Sequence, residues 1–145
     1  MDPSNWIPSP SDIVMMQQTC WLDEPERALP LMAPDVVSTM NVDGAAVPMG
    51  GDIVGRAEVL AKLSKFRQVF EIVDYRPRIY AAEGDTVRSR VNLLLRHRLS
   101  GETLICKKRT VYTIRDGLII RVDEYVDQAM METFMRMVSM LGAEA

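Results

Sequence analysis

The chain has 145 residues, of which 48% are hydrophobic and 26% charged, and its formal net charge at pH 7 is −3. These values are typical of one globular domain that is large enough to bury a core. They give no electrostatic basis for nucleic-acid binding, because lysines and arginines alternate with apolar residues and form no basic stripe along the sequence.

The two cysteines, Cys20 and Cys106, occur in no CxxC or Cys/His spacing, which predicts free thiols and a reducing, cytoplasmic location. Residues 1–10 contain neither the basic start nor the apolar run of a signal peptide. No apolar stretch approaches the roughly 18 residues that span a membrane, so we expect no membrane contact.

Three prolines in residues 1–10 predict an extended arm, which precedes a single domain over residues 11–141. A helix should begin in the segment Ser9–Asp12, because Ser9 can accept the cap hydrogen bond and Asp12 lies at the capping-box position. The predicted elements of the first half are then a helix over 13–22, a short helix begun at Pro25 and bent or ended by Pro30, a strand over 36–40, a loop over 41–52 and a helix over 55–70.

Four β-rich runs follow, over residues 71–82, 86–99, 103–115 and 118–127. Gly with Asp or Ser between alternating runs indicates hairpins, so the runs should form an antiparallel meander. Pro77 cannot donate to a sheet, which predicts that the first run is an edge or contains a bulge. A Met-rich helix over 128–141, apolar nearly all round, completes the chain and must be covered by more than the sheet. The expected fold class is α+β, with a curved antiparallel sheet wrapped on N-terminal helices to form a cone with an internal pocket.

Three short motifs carry a resemblance to a known family: Ala33–Val37, Gly55–Glu58, and Arg115–Ile119 running into Asp123–Asp127. Their order and spacing resemble the SnoaL-like group of the nuclear-transport-factor-2-like superfamily, with its cystatin-like fold. The superfamily contains steroid isomerases, epoxide hydrolases, polyketide cyclases and dehydratases, together with binding modules that have no catalytic activity. The resemblance therefore implies a fold and leaves the function open.

Glu124 is the first candidate for a functional side chain. In the last strand it shares a face with Leu118, Ile120, Val122 and Val126, and this mostly apolar face should line the pocket. A buried carboxylate needs a partner, and the candidates are Arg90, Lys108 and Tyr112. A three-residue turn at Gly117 would place Lys108 inside, whereas a two-residue turn would place Arg109 there. Glu124 is then either one half of a structural ion pair or a general acid or base.

Limonene epoxide hydrolase provides a second, partial resemblance. That enzyme uses an Arg-x-Asp pair on one strand and a second Asp on the last strand, which Arg90-Val91-Asn92 and Glu124 resemble here. The resemblance implies that Arg90, Asn92 and Glu124 are catalytic and that Asn41 orients a water molecule. Asn92 cannot ionise, so it could position water but could not remove its proton.

Five residues are expected to contact the substrate: Tyr112, Asn41, Val122, Met16 and Phe66. A steroid-isomerase interpretation would use Asp43 as the base, although Asp43-Gly44 is also a typical turn. His97 lies between two arginines and is expected to be solvated or at an interface. One histidine and scattered acids predict no metal site, and we expect no cofactor.

Two functions remain open. The first is a cofactor-independent isomerase, cyclase, dehydratase or epoxide hydrolase that acts on a small apolar substrate in the cone. The alternative is a dimeric module of the same fold that binds a small ligand or assists assembly without catalysis.

We predict a homodimer through the outer face of the sheet, because Val91, Leu93 and Leu95 with Tyr125 would form an apolar surface there. Sedimentation at micromolar concentration should give twice 16.4 kDa. A monomer under these conditions would contradict the predicted interface.

Overall fold

The computed structural model describes residues 7–42 and 51–144. The helices are α1 (Pro10–Cys20), α2 (Pro25–Ala28, followed by a 3-10 turn over Leu29–Leu31), α3 (Arg56–Val69) and α4 (Gln128–Glu144). The strands are β1 (Met32–Met40), β2 (Gly51–Val54), β3 (Phe70–Glu83), β4 (Thr86–His97), β5 (Thr103–Arg115) and β6 (Leu118–Val126).

Helix α1 begins where the sequence predicts it. The Asp12 amide donates to Ser9 Oγ at 3.1 Å, and the Ser9 amide donates to Asp12 Oδ2 at 2.9 Å, which completes a capping box. Helix α2 ends after one turn, and Pro30 lies in the 3-10 turn that follows it. The helix does not continue because proline lacks the amide hydrogen that the next helical hydrogen bond would need.

The six strands form one open sheet in the order β2-β1-β6-β5-β4-β3. Strands β3 to β6 form the predicted antiparallel meander, and β3, which contains Pro77, is an edge strand. Strand β1 pairs with β6 in parallel, so the sheet is mixed and not wholly antiparallel. Strand β2 was not predicted, because its four residues lie within a segment whose glycines and prolines indicate a loop. The helices cover one face of this sheet, which we call the inner face, and the α+β fold class is confirmed.

The β5–β6 hairpin combines a two-residue turn with a bulge. Asp116 and Gly117 both have positive φ, 51° and 76°, and Ile114 pairs with Ile119. Thr113 pairs with Arg121, which leaves Ile120 as the extra residue of a bulge and reverses the alternation of faces.

The bulge explains one wrong and one correct assignment of faces. Ile119 is fully buried, whereas Leu118 and Ile120, which were expected inside, are only half-buried. Beyond the bulge, Glu124 faces inward as expected. Lys108 lies on the same face even though the turn has two residues.

Strand β4 presents the opposite face to the one that was expected. Val91, Leu93 and Leu95 are 1%, 8% and 1% exposed and face the helices, while Arg90 and Asn92 lie exposed on the outer face. Alternation shows which residues share a face but not which face is covered, and burial of the arginines would have cost far more free energy. The apolar residues that motivated the dimer interface are therefore in the core, and the homodimer stays a prediction.

The core consists of two clusters on the inner face. One packs α1 and β1 against β5 and β6, and the other packs Phe134 and its neighbours in α4 against Phe70 and the strand β4. His97 packs beside the second cluster. It is 8% exposed, its ring meets Phe70 and Phe134 edge-on, and its Nδ1 lies 2.9 Å from Ser100 Oγ, so the expectation of a solvated histidine is wrong. No helix in the described ranges is both long and apolar enough to cross a bilayer.

Candidate functional site

A cavity of about 120 Å³ lies between the inner face of the sheet and helices α3 and α4. Its wall is mainly aliphatic and aromatic, with Phe66, Leu93 and Met131 among the contributors. The polar side chains in the lining are Ser38, Lys62, Tyr75, Cys106, Lys108 and Glu124. The arrangement is typical of a small-molecule site, in which a few polar groups are placed in an apolar wall.

Lys108 and Glu124 form an ion pair across two neighbouring strands. Their Nζ and Oε1 atoms are 3.2 Å apart, and the two side chains are 17% and 18% exposed. Burial has the largest single effect and lowers the pKa of Lys108, but Glu124, Tyr75 and Cys106 together raise it, and the pKa lies above its ordinary value. Lys108 is therefore held in its charged form beside the Glu124 carboxylate, inside an apolar wall.

Lys62 projects into the same cavity from α3. Its Nζ is buried and has no hydrogen-bond partner within the described residues. Burial lowers the pKa of Lys62, an effect that the Glu124 carboxylate partly offsets and the Lys108 ammonium reinforces. A buried ammonium without a partner is costly, so it marks a position where an anionic group of a ligand would be stabilised.

Lys62 was not singled out from the sequence, because a lysine on an amphipathic helix is expected on the face exposed to solvent. The signal was nevertheless present. Lys62 follows Val59 by three residues and precedes Phe66 by four, so all three lie on one face of the helix. Its long apolar stem can pack along that face while the amine reaches the cavity.

Tyr75 and Cys106 complete the polar lining. Burial raises the pKa of the Tyr75 hydroxyl and of the Cys106 thiol, so both groups stay protonated near neutral pH. Tyr75 was not singled out from the sequence. Bulges interrupt the regular alternation of faces in β3, so the alternation does not show on which face Tyr75 lies. It can donate a hydrogen bond to a ligand oxygen.

The structure brings together only part of the predicted site. Glu124 and Phe66 line the cavity, whereas Arg90 and Asn92 lie on the opposite face of the sheet. The arrangement expected from limonene epoxide hydrolase is therefore absent here, because the phase of β4 turns both side chains outward. The guanidinium of Arg90 instead stacks over the ring of Tyr80 at 4.8 Å.

The other predicted substrate contacts are packed or hydrogen-bonded elsewhere in the fold. Tyr112 is buried in the first core cluster with Val122 and Met16, and Gln18 Nε2 donates to its hydroxyl at 3.3 Å. None of these residues lines the cavity beside Glu124. Asn41 donates from its backbone amide and its Nδ2 to the Glu124 carbonyl, each at 2.9 Å, and so fixes the backbone under the carboxylate. Asp43 lies outside the described residues.

Within residues 7–42 and 51–144, no three His, Cys, Asp or Glu side chains gather in a geometry that could hold a metal ion. Cys20 and Cys106 are free thiols, the first half-buried and the second buried.

The chain is similar to known proteins in both sequence and structure. The model of a family described as "SnoaL-like domain" matches residues 18–122. No curated protein matches the sequence. The structure of TerC co-crystallised with polyporic acid superposes with a TM-score of 0.76 at 23% identity, over 86% of this chain and 97% of TerC.

Two further solved structures show the same fold. An NTF2-like protein from Burkholderia xenovorans LB400 has a TM-score of 0.74 at 20% identity, over 86% of this chain and 93% of its own. A proposed polyketide cyclase from Pseudomonas putida KT2440 has a TM-score of 0.67 at 16% identity, over 85% and 95% of the two chains.

The two lysines of the cavity should respond oppositely to loss of charge. Lys62→Met removes an unpartnered buried ammonium and should leave the free energy of unfolding unchanged or raise it. Lys108→Met leaves the Glu124 carboxylate without its partner and should lower the free energy of unfolding by about 1–3 kcal/mol. Urea denaturation measures both, with exposed Lys65→Met on the same helix as the control. A larger loss for Lys62→Met than for Lys108→Met would contradict the assignment.

Proposed function

Since the chain belongs to the SnoaL-like domain family, we propose that its cavity binds a small, largely apolar molecule with a carbonyl oxygen and catalyses proton transfer, as an isomerase or cyclase does. The resemblance to this family that the sequence suggested is confirmed by the match over residues 18–122. The observation that carries the proposal is the buried, unpartnered amine of Lys62 in the same apolar cavity as the Glu124 carboxyl group.

Glu124 is the proposed base. Its Oε1 accepts a hydrogen bond from Lys108, and no other donor from the described residues reaches the carboxylate, so Oε2 is free to receive a proton. In the proposed step the C–H bond next to the substrate carbonyl breaks and its proton passes to Glu124. The bonding electrons form the C=C bond of an enolate, whose negative charge moves to the oxygen.

Lys62 is the proposed stabiliser of that oxygen. An ammonium already in place in an apolar wall stabilises charge that develops in the transition state more than water would. The Tyr75 hydroxyl is a second donor in the same cavity. From the enolate, return of the proton to another carbon gives isomerisation, and attack of the enolate carbon on a second carbonyl gives cyclisation.

The cavity volume limits the substrate. About 120 Å³ is close to the roughly 150 Å³ of an engineered cavity that holds benzene, so the buried part of the substrate should be about one ring in size. Among structural neighbours, TerC was co-crystallised with polyporic acid and the Pseudomonas putida protein is named as a proposed polyketide cyclase, which supports a cyclic or cyclising substrate.

A binding module without catalysis is the second candidate. It is favoured by the ion pair itself, because Lys108 already occupies one oxygen of the Glu124 carboxylate, as in a purely structural pair. In that case Lys62 would still bind the ligand's oxygen, but no proton would be transferred.

Deuterium exchange separates the two candidates without knowledge of the natural substrate. In D₂O, the protein should accelerate exchange at the carbon next to the carbonyl of one or more compounds in a panel of cyclic ketones, followed by NMR. We expect Glu124→Gln to reduce the rate by about 10²-fold or more and Lys62→Met by about tenfold or more. Asp123→Asn, on the same strand but paired with Arg121 on the outer face, is the matched control. Ligand binding without exchange would favour the binding module.

Ligand affinity should also depend on pH through Lys62. Benzoate is a one-ring anion at all pH values above about 5, so its affinity should fall as the pH rises through the lowered pKa of Lys62 and the ammonium becomes neutral. Lys108, whose pKa is raised, keeps its charge over that range. Calorimetric titration from pH 6 to 11 measures the profile, and Lys62→Met should bind weakly with a flat profile. An unchanged profile in Lys62→Met would contradict the role of Lys62.

The free energy of unfolding of the unliganded protein should rise with pH, whereas the affinity for benzoate should fall. The unfolded chain, with an ordinary lysine pKa, binds more protons than the folded chain between the two pKa values of Lys62. The free energy of unfolding attributable to this group therefore rises with pH across that window. Lys62→Met should remove the rise.

A further inference from the structure

Thr110 of β5 carries a buried hydroxyl group without a hydrogen-bond partner. The residue is 1% exposed, and its Oγ1 meets no donor or acceptor of the described residues at hydrogen-bonding distance. A buried hydroxyl in this condition costs free energy that a valine of nearly the same shape would not cost. Thr110 therefore lowers stability in the unliganded protein, and the use of its hydroxyl must be sought among its neighbours.

Strand pairing places Thr110 directly opposite Glu124. Thr110 pairs in register with Glu124 of β6 on one side and with Ser89 of β4 on the other. Residues opposite each other in an antiparallel pair point to the same face of the sheet, and their Cβ atoms are about 5 Å apart. All three side chains therefore lie on the inner face, and Thr110 lies between the two other polar groups.

Ser89 already has hydrogen bonds of its own. Gln18 Nε2 donates to Ser89 Oγ at 2.9 Å, and Ser89 Oγ lies 3.5 Å from the Arg90 carbonyl oxygen, to which it donates. These contacts do not involve Thr110. Glu124 is therefore the polar neighbour that can use the free hydroxyl of Thr110.

The carboxylate of Glu124 is held by Lys108 instead of by Thr110. Lys108 precedes Thr110 by two residues on the same face of β5, and its Nζ lies 3.2 Å from Glu124 Oε1. Most of this attraction is between opposite charges, so it is lost when Glu124 takes up a proton. The protonated carboxyl group then has an O–H that needs an acceptor, and the Oγ1 of Thr110 has lone pairs to accept it.

We propose that Thr110 is a positioning residue whose Oγ1 accepts a hydrogen bond from the protonated carboxyl group of Glu124. The inference rests on the proposed function, because this is the state that Glu124 reaches when it removes a proton from the substrate. The hydrogen bond stabilises that state and so lowers the barrier to proton transfer. Thr110 does not line the cavity, so it acts through Glu124 and not on the substrate.

Thr110→Val removes the hydroxyl and keeps nearly the same shape. With a ketone that the wild type exchanges, we expect kcat for deuterium exchange to fall about tenfold, while KM changes by less than about twofold. Thr110→Ser keeps a hydroxyl and should restore most of the rate. Thr113→Val makes the same change on the outer face of β5 and is the matched control, which should exchange as the wild type does.

Urea denaturation of the same variants separates this role from a structural one. Removal of a buried hydroxyl without a partner should leave the urea midpoint of Thr110→Val unchanged or raise it. A variant that is slower but no less stable supports the proposal. A lowered midpoint would contradict it, because the hydroxyl would then have a partner in the unliganded protein.

Infrared spectroscopy tests the hydrogen bond without any substrate. At a pH acidic enough to protonate the carboxyl groups, the C=O stretch of Glu124 is the band that Glu124→Gln removes, and circular dichroism at the same pH checks the fold. We expect this band at a higher frequency in Thr110→Val than in the wild type, because the carboxyl group loses its acceptor, and at the wild-type frequency in Thr110→Ser.

The infrared result and the exchange result can fail separately. An unchanged band in Thr110→Val would overturn the proposal for Thr110, whatever the rate of exchange. A shifted band in a protein that exchanges no ketone of the panel would establish the contact between Thr110 and Glu124 and reject the proposed proton transfer.

Discussion

One face of the six-stranded sheet must be removed from water, and most of the structure follows from that constraint. Strands β4, β5 and β6 alternate between an apolar and a polar set of side chains, and helices α1, α3 and α4 cover the apolar set. The helices do not fill the space above the middle of the sheet, which leaves the cavity of about 120 Å³. The same alternation places Arg78, Arg90 and Arg109 exposed on the other face, at paired positions of adjacent strands.

The charged side chains inside the cavity are exceptions to the division between an apolar inner face and a polar outer face. The proposed function rests on them. Lys108 and Glu124 offset much of their desolvation by pairing with each other at 3.2 Å. Lys62 has no such partner among the described residues, and burial lowers its pKa. A buried amine without a partner lowers stability, so Lys62 supports a role toward a ligand.

The polar part of the site could be predicted from the sequence only where one residue was anomalous within its own strand. Glu124 was identified because it interrupts an apolar face, and it does line the cavity. Arg90 and Asn92 were assigned to the cavity through a resemblance, but they lie outside because β4 has the opposite phase. Lys62 and Tyr75 were missed, the first because an amphipathic side chain can belong to an apolar stripe and the second because bulges interrupt β3.

The sequence by itself determined the order of the elements, the capping box at Ser9, the positions of the hairpin turns, that β3 is an edge or contains a bulge, and most of the sets of residues that share a face. These features depend on neighbours within a few residues, where backbone preferences and the two-residue period of a strand act directly. Only the tertiary structure decided which set is covered, where the bulge at Ile120 restores the phase, and that Lys108 meets Glu124. It also decided that Arg78, Arg90 and Arg109, which are far apart in the sequence, lie side by side on neighbouring strands. Pairing between strands brings residues together at separations that no local pattern encodes, and the free energy of burying one whole face selects among the alternatives.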